Sequence, residues 1–196
     1  MGAPRLARLN LVILILASGR GERFKASGGK THKLDAPIPI QQGLQSITML
    51  QATLNKACGS GMPCHVERAN HAGMGDTIAA AVAATQDADG WLMLPADMPF
   101  VPTEVILAVA NGLKDAEICV PIFQGQRGHP VGFSRACRSE LLALSGDEGA
   151  RSLFQKFEMK KVNVGSLPLA EGCLIDIDTV ADLERLKDRV SGGNFL

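Results

Sequence analysis

Near its start the chain reads Leu11-Val12-Ile13-Leu14-Ile15-Leu16-Ala17-Ser18-Gly19-Arg20-Gly21-Glu22-Arg23. The first six residues are aliphatic and rich in Ile and Val, which predicts a strand buried on both faces, as in a parallel sheet. The strand ends at a loop whose glycines let a ligand approach the backbone and whose arginines add positive charge. Because nucleotides bind beside the first such loop of a doubly wound sheet, this stretch predicts a nucleoside triphosphate site.

Strand-like and helix-like patterns alternate along the rest of the chain. The predicted strands are 9–16, 63–68, 90–94, 117–123, 130–133, 159–164 and 174–176. The predicted helices are 45–58, 76–85, 102–113, 135–144, 150–157 and 178–190, the last capped by Asp178 or Thr179. Strands separated by helices predict an α/β three-layer sandwich around a Rossmann-like, mostly parallel sheet.

The composition indicates one domain without a nucleic-acid or membrane partner. The chain has 196 residues, 46% of them hydrophobic, and a formal net charge of zero, so it lacks the basic surface that binds DNA or RNA. The apolar run at 11–16 is shorter than the ~20 residues that span a bilayer. Five cysteines without C-x-x-C spacing favour a reducing, cytoplasmic location. We expect residues 1–8, 191–196 and the loop 25–33 to be flexible.

Five charged residues are candidates for catalysis or metal binding. Lys33 ends the glycine-rich loop and could reach the α- or γ-phosphate, and Arg23 could bind the β- and γ-phosphates. Asp97 follows the 90–94 strand with no Lys or Arg near it in sequence, which predicts a ligand for Mg²⁺. Asp176 or Asp178, which alternate in an extended stretch, could join it on the metal; Asp178 could instead only cap the last helix.

Three further segments are weaker candidates. Gly73-Met74-Gly75 opens an Ala-rich helix, where a base or phosphate could bind or the glycines could only make a tight turn. His129 could bind the second substrate or be a turn residue. Arg151 is expected in the first turn of a helix, an unfavourable place for a cation, which hints at a role toward a ligand.

In their order along the chain, these segments resemble the MobA-like nucleotidyltransferases, which include the molybdenum-cofactor cytidylyl- and guanylyltransferases. The opening L-A-x-G-x-G-x-R pattern and following Lys are matched at 16–23 and Lys33. The G-M-G, D-x-P, G-H-P, G-D-x-G-A-R and D-I-D-T patterns are matched at 73–75, 97–99, 128–130, 146–151 and 176–179. The resemblance covers residues 11 to about 186 and implies the nucleotide-diphospho-sugar transferase type of fold.

The resemblance also implies an Mg²⁺-dependent transfer of a nucleoside monophosphate from CTP or GTP to a phosphate-bearing acceptor such as molybdopterin, releasing pyrophosphate. It implies that Arg23 and Lys33 hold the triphosphate, and that Asp97 and Asp176 hold Mg²⁺. The nucleotide would lie against Leu16, Ala17, Ser18, Gly19, Arg20, Gly21, Gly73, Met74 and Gly75, with its base and ribose at 16–19 and 73–75. The acceptor is expected near His129 and Arg151. A molybdoenzyme partner is a further expectation.

Some alternatives stay open at this point. The gap between Arg23 and Lys33 is longer than in the usual family pattern, so Lys25 or Lys30 could take the place of Lys33. Ser18 favours CTP slightly, since it is closer to the Ala of cytidylyl enzymes than to the Gly of guanylyl enzymes, whereas Met98 resembles the guanylyl form. The acceptor could also be a sugar or alcohol phosphate, or the chain could bind nucleotide as a non-catalytic accessory of a molybdoenzyme.

Overall fold

The computed structural model of the protein describes residues 9–38 and 46–191, with side chains as far as Arg185. Nine strands are present in this part of the chain. They are β1 (Leu11–Leu16), β2 (Pro37–Ile38), β3 (Ile47–Thr48), β4 (Cys64–Glu67), β5 (Gly90–Pro95), β6 (Ile118–Phe123), β7 (Gln126–Arg127), β8 (Val131–Ser134) and β9 (Met159–Asn163).

Seven of these strands form the central sheet, in the order β4-β1-β5-β8-β6-β7, with β9 on the other side of β6. The pairs β1–β4, β1–β5 and β6–β9 are parallel. Strand β8 is antiparallel to both β5 and β6, so β6 has the same direction as β5, and only β7 and β8 oppose the rest. The prediction of a mostly parallel sheet is confirmed.

Helices cover both faces of the sheet. They are α1 (Glu22–Ala26), α2 (Met49–Cys58), α3 (Met74–Ala84), α4 (Thr103–Gly112), α5 (Arg138–Leu142) and α6 (Val180–Ser191). Alternate side chains of β1 enter two cores: Ile13 and Ile15 pack with α2 and α4, whereas Val12 and Leu14 pack with α3 and α5. The structure therefore explains why β1 is aliphatic at every position: both faces of the strand are buried in a three-layer sandwich, as predicted.

Most predicted elements are present with boundaries shifted by a few residues, but the predicted strand 174–176 is wrong. A 3₁₀ helix at Ala170–Leu174 precedes an extended segment that pairs with no strand. Within this segment the Ile177 amide donates to the Asp97 carbonyl at 3.1 Å.

Two of the predicted helices take a different form. The segment 150–157 is a 3₁₀ helix at Arg151–Gln155, in which Leu153 N donates to Ala150 O and Lys156 N to Leu153 O. In 135–144, a 3₁₀ turn at Arg135–Cys137 leads into α5. Helix α2 begins at Met49 because the Thr48 hydroxyl caps it, accepting from the Gln51 amide at 3.1 Å. Residue 45, the predicted start, lies outside the described residues.

The segment 25–33, predicted to be a flexible loop, is built of hydrogen-bonded turns. Phe24 is buried and anchors α1, and the Gly29 amide donates to the Phe24 carbonyl at 3.0 Å. A 3₁₀ turn at Lys33–Asp35 follows. The predicted flexible ends 1–8 and 192–196 lie outside the described residues, whereas Ser191 ends α6.

No helix in residues 9–38 and 46–191 combines the length and the apolar character needed to cross a membrane.

Candidate active site

The carboxyl ends of β4, β1 and β5 lie side by side and define the candidate site. Backbone hydrogen bonds continue past the strand ends, from Ala17 N to Glu67 O at 2.8 Å and from Ala96 N to Leu16 O at 3.1 Å. The loop after β1, the segment after β4 and Asp97 after β5 therefore meet at one edge of the sheet, where doubly wound folds bind ligands.

Lys33 is the centre of a cluster of charges at this edge. Its Nζ lies 2.6 Å from Asp97 Oδ2 and 2.6 Å from Asp178 Oδ1. The second carboxylate oxygen of Asp178 accepts from the Arg23 guanidinium. Four of the five charged candidates are thus brought into one cluster, from positions up to 155 residues apart. Asp97 has no Lys or Arg near it in sequence, and its ion-pair partner is Lys33, which is 64 positions away along the chain.

The lysine of this cluster is charged although it is buried. The side chain of Lys33 is 10% exposed. Burial lowers its pKa, but the Asp97 and Asp178 carboxylates outweigh burial, so the pKa of Lys33 lies above its ordinary value. The carboxylates are 24% and 29% exposed, so a ligand in the crevice can reach them.

The 3₁₀ turn that carries Lys33 is tied to the loop after β1 by His32. The Nδ1 atom of His32 accepts from the Leu34 amide at 3.3 Å, and its Nε2 lies 3.2 Å from the Gly19 carbonyl oxygen. These two contacts hold the His32 ring between the turn and the loop. Lys25 and Lys30 are exposed and form no ion pair with any described residue, so the geometry favours Lys33 among the three lysines.

Asp178 is free to join the cluster because another residue caps the last helix. The Thr179 hydroxyl lies 3.2 Å from the Asp182 amide, and the Asp182 carboxylate accepts from the Thr179 amide at 2.8 Å, which is a capping box. The Ile177 bond to Asp97 places the preceding residues beside β5. Asp176, by contrast, is exposed and makes no hydrogen bond within the described residues.

The donor chemistry of the cluster fits a hard divalent cation. The Asp97 and Asp178 carboxylates converge on one positive charge, and carboxylate oxygens are the ligands that Mg²⁺ and Mn²⁺ accept. Across residues 9–38 and 46–185, no three His, Cys, Asp or Glu side chains converge to hold a metal by themselves. Two carboxylates suit an ion that also takes ligands from phosphates and water.

The first glycine turn, residues 17–21, is open to a ligand. Gly21 has a φ of 64°, which favours glycine. A Cβ built on Gly19 meets no atom within 4 Å, so the protein's own packing does not require glycine there. Arg20 is exposed and has no partner in the described part of the chain. Leu16 and Ala17, predicted to line the nucleotide, are buried at the strand end.

The second glycine turn, residues 73–77, is filled by protein. A Cβ on Gly75 would lie 2.6 Å from the Ser145 carbonyl oxygen, and one on Gly73 would lie 2.7 Å from Asp147 Oδ1. The Gly75 amide donates to the Gly146 carbonyl at 2.7 Å. Close packing of the 145–147 segment thus accounts for both glycines, and only Met74 of the predicted trio is exposed.

A short contact joins the two turns. The hydroxyl oxygens of Ser18 and Thr77 lie 2.5 Å apart, and the Thr77 hydroxyl also donates to the Gly73 carbonyl at 2.9 Å. Thr77 is fully buried, whereas Ser18 is partly exposed at the crevice. Ser18 is therefore held in a defined position at the end of β1.

The two residues predicted to bind an acceptor differ in their surroundings. Burial lowers the pKa of His129, and the Met93 backbone and the charges of Asp97 and Asp176 oppose this shift only in part. Its Nδ1 is buried with no partner among the described atoms. Arg151 is exposed, opens a 3₁₀ helix and forms no ion pair with a described residue. His129 thus lies near the charge cluster, and Arg151 has no contact that places it there.

Sequence reasoning missed Glu67, the last residue of β4. Its Oε1 lies 3.1 Å from His71 Nε2 and accepts from the Ala69 amide at 3.0 Å, and His65 Nε2 is 3.5 Å from its other oxygen. Glu67 stands beside the first glycine turn, since its carbonyl accepts from Ala17. The available signal was its position at the end of a predicted strand, the same signal that identified Asp97.

Comparison with known proteins gives a consistent result. The family model described as "MobA-like NTP transferase domain" matches residues 41–162. The "Purine catabolism protein PucB" of Bacillus subtilis (strain 168) is 30% identical over 131 residues, which are 65% of this chain and 62% of that protein. The matched region thus spans less than two thirds of the curated relative's length.

Solved structures share the fold. The structure of Rv0371c from Mycobacterium tuberculosis H37Rv has a TM-score of 0.72 at 23% identity, covering 93% of this chain and 100% of that chain. A second structure of Rv0371c is a complex with manganese, with a TM-score of 0.65 at 21% identity over 91% of this chain and 98% of that chain. "Molybdopterin-guanine dinucleotide biosynthesis protein A" from Archaeoglobus fulgidus has a TM-score of 0.62 at 15% identity, with 91% and 97% coverage.

Proposed function

This chain belongs to the MobA-like NTP transferase family, and we propose that it transfers a nucleoside monophosphate from CTP or GTP to a phosphate-bearing acceptor. In this reaction an acceptor phosphate oxygen attacks the α-phosphorus of the triphosphate. The bond between the α-phosphorus and the oxygen bridging to the β-phosphorus breaks, and pyrophosphate leaves. A phosphoanhydride joins the nucleotide to the acceptor.

One observation carries this proposal: a buried, charged lysine between two carboxylates at the carboxyl end of β1 and β5. A phosphoryl transfer needs cationic groups aimed at the charge that develops on the α-phosphate and on the leaving pyrophosphate. Lys33 and Arg23 are positioned at the first glycine turn to supply this charge. Backbone groups of Gly19 to Gly21 can approach the phosphates because nothing of the protein fills the space beside Gly19.

A divalent cation would be held by Asp97 and Asp178. When bound, it would neutralise part of the negative charge of the phosphates. Asp176, the partner predicted from the sequence, remains an alternative ligand, since it is exposed near His129 and Asp97. The chemistry proposed for the chain's own residues is to orient the triphosphate and to hold the leaving group.

Molybdopterin is the proposed acceptor, on the strength of the motif matches, and His129 and Arg151 are the residues proposed to contact it. The A. fulgidus neighbour supports this proposal by its printed name, although at 15% identity the likeness itself shows the fold alone. Ser18 favours CTP as the donor. A sugar or alcohol phosphate is the second candidate acceptor, because the same cluster would serve any phosphate nucleophile.

The test is a pyrophosphate-release screen of the four NTPs with Mg²⁺, with and without molybdopterin. Release that needs CTP or GTP together with molybdopterin supports the proposal in full. Release with a sugar phosphate in place of molybdopterin would move the acceptor to the second candidate. Nucleotide binding without pyrophosphate release under every condition would contradict catalysis and favour the accessory protein.

A further inference from the structure

The two carboxylates of the charge cluster are both paired with Lys33. The Lys33 ammonium lies 2.6 Å from one oxygen of each of Asp97 and Asp178, the two residues proposed above as cation ligands. A divalent cation that binds between the same oxygens must compete with the ammonium for them. Two positive charges also repel each other strongly at such separations in a partly buried site.

We propose that Lys33 is a gate on metal loading. While its ammonium bridges Asp97 and Asp178, the carboxylates are neutralised and have little affinity for a free divalent cation. A nucleoside triphosphate brings several negative charges to the first glycine turn. These charges draw the ammonium toward the phosphates and release the carboxylates, so the cation binds together with the triphosphate.

The surroundings of Lys33 allow such a movement. Its backbone is fixed by the 3₁₀ turn and by the contact of His32 with Gly19, so only the four-carbon side chain has to move. Gly21 lies directly against it, since a Cβ built there would be 3.0 Å from Lys33 Cβ. The first glycine turn and the carboxylates are therefore both within the range of one flexible side chain.

The charges that remain at the cluster fit this exchange. When Lys33 leaves, Arg23 still pairs with Asp178, but its side chain is 80% exposed and gives weak compensation in solvent. The two carboxylates then carry an uncompensated negative charge at the moment that the triphosphate has arrived. Coupling of this kind is reciprocal, so the metal must tighten nucleotide binding by the same factor.

This inference depends on the proposed function for the identity of the anion, but its test measures metal binding and not turnover. The probe is Mn²⁺, followed by the electron paramagnetic resonance signal of the free ion. We expect Mn²⁺ alone to bind the native protein weakly. Adding the non-reacting α,β-methylene analogue of CTP or GTP should raise the affinity for Mn²⁺ by about tenfold or more.

The decisive variant is Lys33→Met, which removes the charge and keeps an unbranched side chain. We expect it to bind Mn²⁺ alone at least about tenfold more tightly than the native protein, with a smaller further gain from the analogue. Lys30→Met is the matched control, because Lys30 is exposed in the same segment and pairs with no described residue; its Mn²⁺ affinity should equal the native one. Adding Asp97→Asn to Lys33→Met should remove the gain.

Two outcomes would overturn the gate. One is Mn²⁺ affinity of folded Lys33→Met equal to or below the native value. The other, which needs no variant, is native protein that binds Mn²⁺ equally well with and without an analogue whose own binding has been verified by calorimetry. If neither analogue binds at all, the proposed function fails instead, and the Lys33→Met comparison still decides whether the lysine excludes the metal.

Discussion

The two glycine turns carry the same sequence signal for different physical reasons. In the first turn, a methyl group on Gly19 would meet no protein atom within 4 Å. In the second turn, a methyl group on Gly75 would collide with the Ser145 backbone. The first turn lies between β1 and α1, the second consists of Gly73 and the first turn of α3, and both match family motifs.

The difference separates two uses of glycine. Empty space beside a glycine leaves room for a ligand, whereas backbone packed against a glycine means that the fold needs the missing side chain. The first glycine turn, with the charge cluster next to it, is therefore the part of the edge where we expect chemistry. The second turn packs against the 145–147 segment and fixes the start of α3. We expect it to contribute to nucleotide binding only through Met74 and through the contact of Thr77 with Ser18.

The largest effect is expected at the cluster beside the first turn. Asp97→Asn should lower turnover by about a thousandfold or more, ~4 kcal/mol of transition-state stabilisation, because it removes charge from a phosphoryl-transfer site. The melting temperature should stay close to the native value. Asp176→Asn is the matched control at an exposed carboxylate. Loss at Asp176 with near-native turnover of Asp97→Asn would make Asp176 the cation ligand.

Gly75→Ala should disrupt the packing between the start of α3 and the 145–147 segment. In an open helix this change stabilises a protein by up to ~1 kcal/mol, but here a Cβ 2.6 Å from Ser145 O should destabilise the fold by about 1–3 kcal/mol. Urea unfolding measures the effect, and the Michaelis constant for NTP in the folded fraction should change little. A variant as stable as the native protein would show that the 145–147 segment yields, and the second turn would lose its structural explanation.

Gly19→Ala should have the opposite effects: stability should hardly change, whereas kcat/KM should fall. The methyl group meets no protein atom, so the free energy of unfolding should change by less than ~0.5 kcal/mol. It occupies space where the backbone is expected to meet the triphosphate, so kcat/KM for NTP should fall by about 10- to 100-fold, ~1.4–2.7 kcal/mol. Native kcat/KM together with native stability would mean that the ligand does not approach this turn.

Ser18→Gly tests whether the side chain at the junction of the two turns influences the base. The ratio of kcat/KM for CTP to that for GTP should shift toward GTP, by up to ~1–3 kcal/mol, since hydrogen bonding and space change together. Thr77→Val removes the partner of Ser18 and leaves residue 18 in place. An equal shift in Thr77→Val would assign the effect to the position of the turn, and no shift in Ser18→Gly would remove the support for CTP.

The two turns and the charge cluster show which features of the site could be predicted from the sequence. Strand β1 was predicted correctly, because a run of buried aliphatic residues followed by a polar loop is a local signal. Lys33 and Asp97 were each named as candidates from their positions after predicted strands; the structure places them side by side, and their roles stay predictions. The sequence alone could not show why residues 73 and 75 are glycines. The reason lies in residues 145–147, whose approach depends on how α3 and α5 pack.

The role of Asp178 also depends on contacts with residues elsewhere in the fold. The alternation of Asp176 and Asp178 left both open as metal ligands, and Thr179 and Asp178 both fitted a helix cap. The choice between them follows from the backbone bond of Ile177 to Asp97 and from the reach of Asp182 back to Thr179. The contact of Ile177 with Asp97 has no local sequence signature, whereas Thr179 and Asp182 have the spacing of a capping box, a signal that could have identified Thr179 as the cap.

The smallest effect is expected at this cap. Hydrogen bonds from the Thr179 hydroxyl and backbone hold the pKa of Asp182 below its ordinary value. A lowered pKa in the folded state stabilises the protein above the unfolded pKa, near 4, and this gain is lost as pH falls through the folded value. Asp182→Asn should therefore melt slightly below the native protein at pH 7, by at most about 1 kcal/mol of stability, and match it near pH 2.

Thermal melts from pH 7 down to pH 2 measure this difference. A constant gap between Asp182→Asn and the native protein at every pH would mean that the charge of Asp182 is not involved. Asp115→Asn is a suitable control, because Asp115 also has a lowered pKa, through Lys160, but lies away from the α6 cap.

The pairing of Lys33 with Asp178 has a consequence for the order of events during synthesis. The two residues are 145 positions apart, and Arg23 and Asp178 are 155 apart. A nascent chain can bring β1, β4 and β5 together long before residue 178 leaves the ribosome, at ~5–20 residues per second. Until then Lys33 can pair with Asp97 but not with Asp178. The complete charge cluster can therefore form only after residue 178 has been synthesised, later than the three strands whose ends support it.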